Sequence, residues 1–189
     1  MRGDSMVYLS KGVVQENSTK NNLVICRFGD KFNLTDGSAA LWLYGRFNPN
    51  ETNEDRASTS LIEMGLIEAS SESGETALYR LLLNCVICHA KSKLFKMRLD
   101  KPEQILWTWL TQAGGKLTIS ELVALNEKQV SPSKSLLGTN NWASLVHSIY
   151  TRNNIQDLVL EAQMEKSPAM RSTVMAVMGL LRKKRIFLI

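Results

Sequence analysis

Over residues 7–34 the chain alternates apolar and polar positions and is rich in strand-forming side chains. The apolar runs are Val7-Tyr8-Leu9, Val13-Val14, Leu23-Val24-Ile25-Cys26 with Phe28, and Phe32-Asn33-Leu34. Between them lie Glu16-Asn17-Ser18, Lys20-Asn21-Asn22 and Gly29-Asp30, which are turn chemistry. A period of two bounded by such turns predicts a small antiparallel sheet of about three strands. Thr35-Asp36-Gly37-Ser38 then offers a helix cap ahead of Ala39 to Tyr44, whose apolar side chains can bury one helical face. Residues 49–60 are polar and predict a loop or the lead-in to a short helix. The run Leu61-Ile62-Glu63-Met64-Gly65-Leu66-Ile67-Glu68 reads as a helix closed by Gly65, followed by a turn over residues 70–75 and an apolar stretch over 77–90.

Past Pro102 the period changes to that of a helix. Ile105, Leu106, Trp109 and Leu110 share a face, Pro102 stands in the first turn, and Gly114-Gly115 ends the run. Thr118 or Ser120 can cap a second helix over 121–128. Trp142, Leu145, Val146 and Ile149 mark a third over 142–152, and Ile155, Leu158, Val159 and Ala162 a fourth over 155–165. Ser167-Pro168 opens a fifth over 169–184, where Met170, Val174, Val177, Met178 and Leu181 repeat at helical spacing. Residues 186–189 read as a short strand. The pattern is α+β, with a small N-terminal antiparallel sheet and helices followed by a mainly helical C-terminal domain. The junction is placed in the lysine-rich stretch from Lys91 to Lys101, giving domains at 1–98 and 99–189. No internal sequence repeat or low-complexity tract is present.

Charge sharpens this division. The 189 residues carry a net charge of +5, but residues 1–100 hold 12 Lys and Arg against 12 Asp and Glu, while residues 101–189 hold 11 against 6. A one-sided basic domain suits a polyanion, because each cation that neutralises a phosphate releases condensed counterions. No apolar run approaches the roughly 20 residues of a membrane span, so no membrane partner is expected. The polar N-terminus lacks an export signal and the cysteine count of 3 is odd, which together predict a cytoplasmic protein without a disulfide framework.

Residues 104–152 resemble a winged-helix DNA-binding domain: a helix, a Gly-containing turn and a second helix opening on Leu117-Thr118-Ile119-Ser120-Glu121-Leu122 precede a candidate recognition helix. Residues 167–186 also resemble a recognition helix, ending Leu180-Leu181-Arg182-Lys183-Lys184 before a wing strand. The resemblance is to the winged helix-turn-helix superfamily and singles out no family within it. It implies that Ser167, Arg171, Ser172 and Thr173 face a DNA groove and that Arg182, Lys183, Lys184 and Arg185 lie near the phosphates. In the first unit the corresponding residues are Asn140, Asn141, Ser144, His147 and Arg152. A full wing would need a second strand after Ile189. The implied function is a DNA-binding transcriptional regulator on double-stranded DNA, working as a homodimer whose dimer face the sequence does not identify.

The N-terminal sheet with residues 32–42 and 61–68 is similar to the small winged-helix-like domains that bind leader peptides, which take the peptide as an added strand. That resemblance implies the alternative function, a peptide- or protein-binding adaptor with its edge at residues 7–14 or 23–28. Cys85-Val86-Ile87-Cys88-His89 matches the haem-attachment pattern. Without an export signal, and inside an apolar run, the cysteines are instead expected in a core, and Cys85 and Cys88 supply half a zinc site. No cofactor or metal is expected. Two histidines, no phosphate-binding glycine loop and no supported nucleophile–base arrangement argue against an enzyme.

Overall fold

The computed structural model describes residues 5–19, 22–90, 98–112, 116–129 and 167–189. Among them are six helices and three small antiparallel sheets, an α+β arrangement. The chain divides into two compact units, Met1–Cys85 with Phe187–Ile189, and Val86–Ile186. Residues 91–97, within the stretch where the sequence places the junction, lie outside the described residues, as do the third and fourth helices expected over 142–152 and 155–165.

In the first unit β1 (Ser5–Ser10) is the middle strand of a sheet ordered β5-β1-β6, with β5 at Asn50–Asn53 and β6 at Ile67–Ser70. A second sheet is ordered β2-β3-β4, from Val13–Val14, Leu23–Arg27 and Asp30–Leu34. Of the residues named as the edge for an added peptide, those in β1 and β3 are interior, each strand being hydrogen-bonded on two sides, whereas Val13–Val14 form β2, an outer strand of its sheet. Helices α1 (Asp36–Tyr44), α2 (Arg56–Glu63) and α3 (Gly74–Leu83) complete the unit. Its core gathers Tyr8, Ile25, Leu34, Trp42, Leu61 and Leu66. Three polar side chains inside it are paired. The Tyr8 hydroxyl donates to Leu41 O at 2.8 Å, Trp42 Nε1 donates to Lys11 O at 3.0 Å, and buried Lys11 is ion-paired with Glu68.

The helix expected over 61–68 and closed by Gly65 differs at its start and includes none of residues 66–68. It begins earlier, at Arg56, because Asp55 forms a capping box: its carboxylate accepts the Ser58 N–H at 2.8 Å while the Ser58 hydroxyl accepts the Asp55 N–H at 2.9 Å. It ends before Gly65, which takes φ +67°. There the Gly65 N–H donates to Ile62 O and the Leu66 N–H to Leu61 O, both at 2.8 Å, the paired bonds of a Schellman turn. Ile67 and Glu68 then belong to strand β6.

In the second unit β7 (Val86–His89) pairs antiparallel with β8 (Lys116–Thr118), in a sheet ordered β8-β7-β9. Strand β9 is Ile186–Leu188, and the division between units falls within it. Helices α4 (Lys101–Gln112) and α5 (Ile119–Glu127) both pack against α6 (Pro168–Arg182). Thr118 and Glu121 form the capping box of α5, with bonds of 3.3 and 2.7 Å. Helix α6 closes as α2 does: Lys184 takes φ +55°, its N–H donates to Leu181 O, and the Arg185 N–H donates to Leu180 O, both at 2.9 Å.

The two units thus share an element order that no sequence repeat announces. In each, the earliest strand of the sheet lies in the middle, a helix leads to one flanking strand, and a capping box starts the helical segment after it. A Schellman turn then leads into the other flanking strand. The first unit inserts β2–β4 after its middle strand and crosses between its flanking strands with α2 alone. The second crosses with residues 119–182.

Candidate nucleic-acid interface

Helix α6 is mostly core. Of its 15 residues, Met170, Thr173, Val174, Ala176, Val177, Met178, Leu180 and Leu181 are buried, which leaves a narrow open stripe. Arg171, Met175 and Arg182 lie on that stripe at i, i+4 and i+11, and all three are exposed. At 1.5 Å per residue the two arginines stand about 16 Å apart along the helix.

The start of α6 is fastened to the end of α5. Ser167 caps the helix by accepting the Met170 N–H at 3.3 Å and donates its own hydroxyl to Glu127 Oε1 at 3.1 Å. The Asn126 amide donates to Ala169 O at 3.1 Å, Ser172 Oγ at 3.0 Å and Thr173 Oγ1 at 2.9 Å. Thr173, expected at a DNA groove, has no exposed surface, and its hydroxyl also donates to Ala169 O at 2.7 Å. Its place is in the core, where an unpaired hydroxyl would be costly. Ser172 is half-buried and donates to Ala169 O at 3.1 Å.

At the other end the four consecutive cations separate. Lys183 is ion-paired with Glu103, a residue only 2% exposed. The same Glu103 carboxylate accepts the Asp100 N–H at 2.9 Å, while the Asp100 carboxylate accepts the Glu103 N–H at 2.9 Å, so the pair caps α4 reciprocally. Arg185 is half-buried, its guanidinium 5.9 Å from the centre of the Trp107 ring. His89 packs on Trp107 as well, with ring centres 5.0 Å apart. Arg182 and Lys184 are exposed. Asn140, Asn141, Ser144, His147 and Arg152 lie outside the described residues.

One cleft borders the stripe and a second shares Lys183 with the first. The first, of about 480 Å³, is lined by Pro102, Ser172, Met175, Gly179, Arg182 and Lys183, among others. The second, of about 460 Å³, is lined by Arg98, Leu99, Asp100, Lys101, Gln104 and Lys183. Arg98 and Lys101 are both exposed. They extend the basic surface beyond the residues singled out from sequence, where the same cations served only to mark a junction.

The cysteine pattern resolves into packing. Cys85 is buried, its thiol donates to Leu81 O at 3.1 Å, and burial pushes its pKa up to about 12. Burial likewise raises Cys88, against the opposing charge of Lys116. Among the described residues no group of three or more His, Cys, Asp or Glu side chains could hold a metal ion. No helix among them is long and apolar enough to cross a membrane. Comparison with protein-family models, with curated proteins and with solved structures finds no match for this chain.

Proposed function

We propose that this chain is a DNA-binding protein of the cytoplasm, a transcriptional regulator whose second unit docks on duplex DNA as a winged-helix-like module, and that it binds without catalysing a reaction. The observation that carries the reading is the open stripe of α6, where Arg171 and Arg182 flank Met175 on a helix otherwise packed inside. Among the described residues the order from α4 to β9 is helix, strand, helix, helix, strand, with residues 130–166 outside the description between α5 and α6, and β7 completes a three-stranded sheet with β8 and β9. Lys184, Lys101 and Arg98 are exposed cations in the same unit, suited to phosphate.

In this reading the cations have different tasks. Arg182 and Lys184 meet the DNA backbone and Arg171 a base edge, while Lys183 holds Glu103. Fluorescence anisotropy on duplex DNA tests this. The double variant Arg182→Ala/Lys184→Ala is expected to weaken binding to every sequence alike and to flatten the log–log salt dependence by about 0.9 for each phosphate no longer neutralised. Arg171→Ala is expected to cost on the order of 1–3 kcal/mol at particular base pairs. Unchanged affinity and salt slope in the folded double variant would refute the reading.

A further inference from the structure

The cleft of about 480 Å³ beside α4 and α6 is lined by a carboxylate of which only one oxygen is used. Glu103 is 2% exposed, and both hydrogen bonds that reach its carboxylate fall on Oε2, which accepts the Asp100 N–H at 2.9 Å and pairs with Lys183. Among the described residues nothing donates to Oε1. That oxygen lies against Gly179, whose missing side chain makes room for it, since an added Cβ would fall 2.2 Å away. Oε1 is not sealed. The fully buried side-chain oxygens and nitrogens that lack a partner do not include it, so it opens to solvent, and Glu103 and Gly179 both line the cleft. A carboxylate offers about four lone-pair sites, and one withdrawn from bulk water gains from each donor it finds.

Lys183 stands beside it. Its ammonium has several donors and uses one on Oε2, so an unused acceptor and unused donors adjoin one another on the cleft wall. Pro102, Met175 and Ala176 add apolar lining, with Met175 45% exposed. Two acids, Asp100 and Glu103, and two bases, Arg182 and Lys183, line the cleft, so its charge is balanced. We infer that this cleft binds a free amino acid with an apolar side chain. The ligand's ammonium donates to Glu103 Oε1, its carboxylate accepts from Lys183 Nζ, and its side chain covers Met175, Pro102 and Ala176. A bare amine would leave the Lys183 donors unmet, and a bare acid would bring a second carboxylate up to Oε1, where like charges oppose each other. The volume is that of a small-molecule site. The inference concerns the free chain and does not depend on the DNA reading.

Saturation-transfer NMR on the full chain, without DNA, provides the test, with L-leucine, L-methionine and L-phenylalanine as probes. At least one is expected to bind saturably below about 10 mM, the level that a modest contribution from each ligand atom would reach. The amine made by removing its carboxylate and the acid made by removing its ammonium are each expected to bind at least tenfold more weakly. Glu103→Gln, which keeps an acceptor for the Asp100 N–H and removes the charge, is expected to weaken the amino acid by tenfold or more. The two analogues probe the same contacts on the unaltered protein, whatever the variant does to folding. Failure of all three probes to bind overturns the proposal, and so does an analogue that binds as tightly as its parent amino acid or a folded Glu103→Gln variant with unchanged affinity.

Discussion

Glu103 lies so close to Gly179 that a Cβ added to the glycine would stand 2.2 Å from Glu103 Oε1. Glycine inside a helix ordinarily costs up to about 1 kcal/mol relative to alanine. Here the missing side chain admits a carboxylate. Glu103 has little freedom to withdraw, because its other oxygen accepts the Asp100 N–H and pairs with Lys183. Gly179→Ala is therefore expected to destabilise the second unit by about 1–3 kcal/mol, reversing the sign that propensity alone gives. Urea denaturation followed by tryptophan fluorescence measures it, and a more stable variant would contradict the packing described.

The ion pair itself predicts a non-additive cycle. Lys183→Met leaves the Glu103 carboxylate buried without its cation, and a destabilisation of about 3 kcal/mol is expected, at the low end for a broken buried pair because Lys183 keeps some solvent exposure. Glu103→Gln retains an acceptor for the Asp100 N–H and removes the charge. The double variant is expected to be more stable than Lys183→Met alone, so denaturation of the four proteins should yield a coupling energy clearly different from zero.

Asp55 gives the first unit a pH dependence of known sign. The Ser58 N–H that its carboxylate accepts holds its pKa below the ordinary carboxylate value, helped by the Ser58 hydroxyl and the Ala57 N–H against a smaller opposing effect of desolvation. A folded pKa below the unfolded one means that its stabilisation is present above the unfolded value of about 4 and is lost as pH falls through the folded value. Melting temperatures of wild type and Asp55→Asn should therefore differ in slope below about pH 4. Asparagine caps without titrating, so the variant's curve is expected to be the flatter one.

Elements with strong periodicity were readable from the residues. Helix α4 follows from Leu106, Trp109 and Leu110, α6 from its Ser-Pro start and apolar stripe, and β3–β4 from alternation. Strand β5 was not readable. Asn50-Glu51-Thr52-Asn53 has poor strand propensity, and pairing with β1 decides its conformation. Strand β6 hides behind a helix because Leu66 and Ile67 continue the helical apolar pattern, and only the left-handed turn at Gly65 separates them. The candidate interface divides the same way. Helical spacing puts Arg171 and Arg182 on one stripe, whereas the burial of Thr173 and the capture of Lys183 depend on Asn126 and Glu103, 47 and 80 residues earlier in the chain. Periodicity describes a helix but does not name its neighbours.

The shared turn at the ends of α2 and α6 has a consequence for how much of each unit its architecture specifies. One unit spans the interval between capping box and left-handed turn with an eight-residue helix, the other with everything from Ile119 to Arg182. Punctuation, rather than length or content, delimits the frame. The flanking strands keep their partners across intervals of very different length, so the two marks set where each closing strand begins, while α5 and α6 inside the longer interval still build the core.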